Sequence, residues 1–154
     1  MSSKIAKVLV IGGGITSAVS TSILSEKLGK NVQITVWDKA RGAGGRMSTS
    51  RSPGNPDCTA DLGAQYISTK PEVFKGHEGI YQDLISNKLI RKFDGLVENE
   101  HHSEGVIHYV ATEGTASIVK HFFNKSGVDV KFGNHINHIS ITTDDKIFVS
   151  TQVN

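Results

Sequence analysis

Residues 5–17 read IAKVLVIGGGITS, and residues 32–38 read VQITVWD. The first seven residues are rich in Val and Ile and stop at three glycines, the pattern of a buried strand that ends abruptly. From Ile15 to Leu28 the apolar residues Ile15, Ala18, Val19, Ile23, Leu24 and Leu28 recur on one helical stripe, and Gly29 closes the helix. Residues 32–37 form a second strand. Strand, helix and strand within about 35 residues is a βαβ unit, with parallel strands and a right-handed crossover.

The turn Gly12-Gly13-Gly14-Ile15-Thr16-Ser17 therefore falls where a strand becomes a helix. In the dinucleotide fingerprint the first glycine permits the tight turn and the second lets a pyrophosphate approach the backbone. The third lets helix and strand pack closely. Gly12 and Gly14 fit the first two positions, whereas Ser17 puts a hydroxymethyl where glycine is usual. Asp38 ends the second strand near the spacing of about 20 residues at which an acid grips a ribose. The amides of Ile15 and Thr16 lie at a helix N-terminus, which carries about half a positive charge and unpaired N–H donors. An ordinary capped helix and an acid in a loop are the competing readings.

The chain has 154 residues, enough for one domain with a real core. Lys+Arg 17 against Asp+Glu 15 leaves no long-range field that would favour nucleic acid or a membrane surface. The charge of interest is local: Arg41, Arg46 and Arg51 precede the next acid, Asp57. A single cysteine, Cys58, excludes an internal disulfide framework and fits a reducing compartment. The N-terminal apolar run is interrupted by glycines, so it reads as a strand and not a signal peptide. No stretch approaches the roughly 20 apolar residues of a membrane span. A cytoplasmic location is expected.

Residues 39–57 shift to Gly, Ser, Pro and Arg, which predicts a long ordered loop or a flexible insertion. Structure returns over residues 59–67. A helix opened by Pro71 is expected over 71–88, with Val73, Phe74, Ile80, Tyr81, Leu84 and Ile85 as its apolar face. Strand-like pieces LIRKF, GLVEN and VIHYVA follow within 89–111, separated by the polar tract NEHHSEG. A helix over 115–126 carries Ile118, Val119, Phe122 and Phe123 and stops at Gly127. The segments VDVKF, HINHISI and KIFVSTQV follow, the last two joined as a hairpin through TTDD.

A second glycine cluster, Asp38-Lys39-Ala40-Arg41-Gly42-Ala43-Gly44-Gly45-Arg46-Met47, follows the candidate ribose acid. Glycine is entropically costly to order, so such a cluster means that backbone must come close to something. This stretch resembles the second glycine motif of two-dinucleotide-domain flavoproteins of the amine oxidase superfamily. There the glycine pair and the arginine close over the pyrophosphate and flavin of FAD. Together with NPDCTADLGAQYI (55–67) and EGTASIVKHF (113–122), the motifs resemble the renalase family from about Lys7 to Ile147.

That resemblance implies a Rossmann-type FAD-binding domain of the α/β class, truncated, with an appended β-hairpin and part of a substrate domain at about 68–111. It implies a flavoprotein oxidase that converts isomeric forms of NAD(P)H to NAD(P)+, with oxygen as acceptor and hydrogen peroxide as product; an older attribution is monoamine oxidation. Thr16 and Arg46 would contact FAD, Gln65 and Tyr66 would line the flavin, and Ile136 would offer backbone groups to the adenine. Arg46 would match phosphate oxygens with planar, permanently charged donors. The cofactor-binding set is thus Gly12, Gly14, Ile15, Thr16, Asp38, Lys39, Arg41, Gly45, Arg46, Gln65, Tyr66 and Ile136. Without that resemblance Gln65 and Tyr66 would simply end a strand, with the tyrosine ring buried. An extracellular location is also compatible with the family.

The family is about twice this length, and later strands of the FAD domain, most of the substrate domain and a C-terminal Gly-Asp motif have no counterpart here. The first strand is therefore expected to expose an apolar edge that invites self-association, and the isolated chain to bind FAD weakly or not at all, with little oxidase activity. Two other readings stay open: a non-catalytic fragment that binds a partner chain, and an NAD-dependent dehydrogenase on the same βαβ unit. His101, His102 and His108 lack the spacing of a metal site, and His135 and His138 fall on opposite faces of a strand. No catalytic residue is assigned, because hydride transfer to a flavin needs no acid-base pair from the protein.

Overall fold

The computed structural model describes residues 5–95, 97, 104–144 and 146–151. In chain order the elements are β1 (Ala6–Ile11), α1 (Ile15–Leu28), β2 (Val32–Asp38), β3 (Thr49–Arg51), β4 (Thr59–Asp61) and β5 (Ile67–Thr69). They continue with α2 (Pro71–Gly76), α3 (Glu78–Ser86), β6 (Ile90–Lys92), β7 (Ile107–Ala111), α4 (Ala116–Ser126), β8 (Asp129–Phe132), β9 (Ile136–Ile141) and β10 (Ile147–Thr151). The chain forms two compact units, Met1–Gly45 with Val119–Asn154, and Arg46–Ile118.

The first unit contains the βαβ start. β1 and β2 pair in parallel from Ala6 opposite Val32 to Ile11 opposite Trp37. β2 in turn pairs in parallel with β8, giving the order β1-β2-β8 with β2 central. The central strand is the most buried of the three because both its edges and one face are covered: Val36 is fully buried and Ile34 nearly so. β9 and β10 form the expected antiparallel hairpin, irregular between Ser150 and Thr151.

Helix α1 has the expected bounds but a different inner face. It buries Ala18, Thr21 and Ser22, whereas Ile23 and Leu28 are exposed. Residues at i, i+3 and i+4 lie on one face, and here that face consists of small side chains that let the helix approach its neighbours closely. Thr21 satisfies its buried hydroxyl by donating to the Ala18 carbonyl at 3.0 Å.

Among the described residues the second unit holds two small antiparallel sheets. β3 and β4 form a ribbon with Thr49 opposite Asp61, so residues 39–57 are not one continuous loop. The sheet β5-β7-β6 has β7 in the centre, with Tyr109 and Ile90 buried. The helix expected over 71–88 is two helices that break at His77, whose backbone (φ −128°, ψ 23°) leaves the helical region. Phe74 of α2 stacks on Tyr81 of α3 across that break, with ring centroids 5.0 Å apart. Most of the segment GLVEN and both His101 and His102 lie outside the described residues.

Candidate nucleotide-binding site

Leaving β1, Gly12 takes φ of +100°, a backbone that only glycine adopts without strain. Its amide donates to the Trp37 carbonyl at 2.8 Å, so the turn is tied to the end of β2. The Gly13 amide donates to Oδ2 of Asp38, and the Ala40 amide donates to Oδ1 of the same carboxylate at 2.6 Å. Gly14 is extended and caps α1 without any side-chain bond, and no acid stands in the first helical turn. The amides of Ile15 and Thr16, at the start of the helix, thus have neither an intrahelical acceptor nor a side-chain cap from Gly14. At Gly12 and Gly14 a Cβ would meet nothing within 4 Å, so open space lies over both glycines.

The second glycine cluster packs directly on the first. The Gly44 amide donates to the Gly13 carbonyl at 2.9 Å, and Gly14 and Gly44 form an isolated parallel bridge. A Cβ on Gly45 would stand 3.5 Å from the Gly14 Cα. Gly44 (φ +138°) and Gly45 (φ +56°) both adopt left-handed backbone, which explains why the approach uses glycine. Lys39 and Arg41 are exposed, and among the described residues neither forms an ion pair.

Beside these turns lies a cavity of about 320 Å³, lined by Ile11, Gly12, Trp37, Asp38, Lys39 and the segment 134–136. That segment is held in place by backbone: the Asn134 amide donates to the Asp38 carbonyl and the Gly133 amide to the Ala40 carbonyl, both at 2.9 Å. The structure thus brings Gly12, Asp38, Lys39 and Ile136 to one cavity, with Gly14 and Gly45 in the adjoining turns. Trp37, Asn134 and His135 were not anticipated as lining residues. The Trp37 Nε1 is buried and has no hydrogen-bond partner among the described residues, which is costly unless a partner arrives.

Arg46, Gln65 and Tyr66 belong to the second unit. Arg46 is exposed and forms no ion pair among the described residues. Gln65 and Tyr66 are exposed and lie just ahead of β5, not within it. The Tyr66 ring meets His108 edge-on, centroids 5.5 Å apart, and His108 Nδ1 shares a hydrogen bond with the Ser68 hydroxyl at 2.9 Å. Among the described residues no cluster of His, Cys, Asp or Glu could hold a metal, and no helix is long and apolar enough to cross a membrane.

These features define a Rossmann-type nucleotide-binding fold of the α/β class. Accordingly, the family described as NAD(P)-binding Rossmann-like domain matches residues 10–84. The sequence is similar to renalase, and specifically to its N-terminal part. It is 36% identical to mouse (Mus musculus) renalase over 145 residues, covering 94% of this chain and 42% of the mouse protein. The chain therefore spans less than half the length of that relative. Among solved structures, the Diels-Alderase PyrE3 of pyrroindomycin biosynthesis aligns with a TM-score of 0.56 at 16% identity, over 94% of this chain and 29% of the other. CtdE in complex with FAD and a substrate aligns with a TM-score of 0.52 at 18% identity, over 95% and 34% of the two chains.

Proposed function

We propose that this chain carries the FAD-binding start of a renalase-type oxidoreductase. The observation that supports it most is the docking of Gly44 on Gly13 and Gly14 beside the Asp38 carboxylate. An isolated Rossmann turn has no need of a second glycine turn against it. The residues present fit the cofactor. Gly12 and Gly14 leave room for a diphosphate against the backbone, the start of α1 favours its charge, and the cavity bounded by Asp38 and Ile136 suits an adenosine.

From the family resemblance, Thr16 and Arg46 are assigned to FAD, Arg46 at its phosphates, and Gln65 and Tyr66 to the flavin. FAD supplies the hydride-accepting chemistry. In the full reaction an isomeric dihydronicotinamide would give up a hydride to become NAD(P)+, and oxygen would take its two electrons with two protons, one from that hydride and one from solvent, to give hydrogen peroxide. The chain's own residues bind and orient. The oxidase activity, its substrate and its acceptor belong to a protein of the relatives' full length.

Titration of the purified chain with FAD, followed by flavin fluorescence, tests this reading. Weak saturable binding is expected, with Kd on the order of 0.1 mM, competed by ADP. NAD+ should bind less tightly, since Arg46 and the second turn are assigned to a flavin nucleotide. Preference for NAD+ would favour the dehydrogenase, and no saturable binding of either nucleotide would defeat the proposal.

A further inference from the structure

We propose that Asp61, Thr115 and Gly63 are positioning residues for Arg46. The proposal rests on the assignment of Arg46 to the cofactor phosphates made above, and concerns how that side chain is presented. All the residues involved lie in the second unit.

Arg46 stands in a single turn of 3-10 helix, Gly45–Met47, too short to hold itself in place. Its carbonyl accepts the Ala64 amide at 3.0 Å. Gly63 lies so close that a Cβ there would be 2.1 Å from the same carbonyl oxygen. One residue on, the buried Met47 directs its carbonyl to the Thr115 hydroxyl at 3.1 Å. Thr115 is only 1% exposed, and its amide donates to both oxygens of Asp61 at 3.0 Å. Asp61 also accepts from the Thr49 hydroxyl at 2.6 Å, and that hydroxyl accepts the Ala116 amide at 3.2 Å.

Two successive carbonyls, those of Arg46 and Met47, are thus fixed by donors far away in sequence. The Asp61 carboxylate is occupied by amide and hydroxyl donors, and Arg46 has no ion pair among the described residues. The result is a rigid main chain beneath an unneutralised guanidinium. Such an arrangement lowers the ordering entropy lost when an anion is bound, because only the side-chain torsions remain to be fixed. A cluster that served the fold alone would bear on the stability of the ribbon and α4, with no separate bearing on Arg46.

A double-mutant cycle separates the two. FAD affinity is measured by flavin fluorescence for the parent chain, T115V, T115S and R46Q, and for T115V in the R46Q background. Urea unfolding without nucleotide is recorded for each, so that affinities are compared where every variant is folded. T115V keeps the side-chain volume and removes the hydroxyl, so FAD binding should weaken about threefold to tenfold. T115S, which keeps the hydroxyl, should bind as the parent does, and in the R46Q background T115V should weaken binding no further. D61N should repeat the pattern.

If T115V binds FAD as tightly as a parent that itself binds, or loses the same factor with and without Arg46, the positioning role is wrong while the cofactor assignment stands. A parent without saturable FAD binding overturns the assignment and this proposal together.

Discussion

Gly13 donates its amide to one oxygen of the Asp38 carboxylate, 25 residues along the chain, while the amide of Ala40 takes the other. The acid read as a ribose ligand is therefore also the clasp that joins the first glycine turn to the start of the second. Spare lone pairs on the two oxygens leave both roles open to it. The Asn in D38N offers one acceptor oxygen where the structure uses two, and turns an amide donor toward a backbone N–H. It should destabilise the chain by about 1.5 kcal/mol, the low end for bonds to a charged group because the site is half exposed. Urea unfolding checks this. Unchanged stability would show that the clasp is not formed in solution.

The neighbouring glycine gives an independent test of the same contact. A Cβ on Gly13 would stand 2.9 Å from Asp38 Oδ2 and 3.3 Å from Asp38 Cβ. G13A must therefore displace the carboxylate, and its effect on stability should be largely absent in the D38N background. Fully additive losses in the four-protein cycle would rule out the shared contact.

Much of the first unit was legible because glycine punctuates it. Strand, turn, helix and strand fall close to where Gly12 and Gly29 place the breaks, since backbone geometry leaves few alternatives there. The inner face of α1 was not legible, because Ala18, Thr21 and Ser22 are buried by close packing and not by hydrophobicity. The β3-β4 ribbon was missed for a related reason: strands of three residues such as Thr49–Arg51 are too short to show alternation. Of the site, Gly12, Asp38 and Ile136 could be read from spacing and resemblance. Trp37 and Asn134 reach the cavity through the β2-β8 pairing, a long-range relationship that no local pattern encodes.

Two glycines near Arg46 should respond differently to alanine. At Gly45 the added Cβ makes only an ordinary contact with Gly14, so the loss comes from φ of +56° and should be about 1 kcal/mol. At Gly63 the Cβ would collide with a backbone carbonyl that cannot swing aside, and G63A should lose about 3 kcal/mol. Urea midpoints with comparable slopes test the ranking, and the reverse order would contradict the packing described.

The hairpin turn carries a local pH response. Asp144 has its pKa lowered below 3.8, first by the hydrogen bond from Lys146 and then by that from Thr142. A depressed carboxylate contributes stability that is present above its unfolded pKa and lost as pH falls through the folded value. Because the group is fully exposed, the response should be confined to the turn. NMR titration should give a midpoint below 3.8 that moves back up in K146A, and a K146A midpoint equal to the parent's would exclude the pairing.

The last prediction concerns the open side of the sheet. Among the described residues β1 pairs only with β2, and over this face runs a groove of about 630 Å³ lined by Val8, Leu9, Ile11, Ile139, Ile147 and Val149 among others. Ile147 is 72% exposed and Ile141 74%, far from the burial usual for isoleucine. Unpaired strand edges beside exposed apolar side chains pair readily with further strands. A second copy of the chain is the occupant always at hand, so sedimentation velocity should show concentration-dependent self-association. I147K places a charge in the groove without touching the glycine turns, and it should shift the chain toward monomer while leaving FAD affinity unchanged. If the parent sediments as a monomer at every concentration, this face does not mediate self-pairing; if I147K weakens FAD binding, the groove and the nucleotide cavity are not independent.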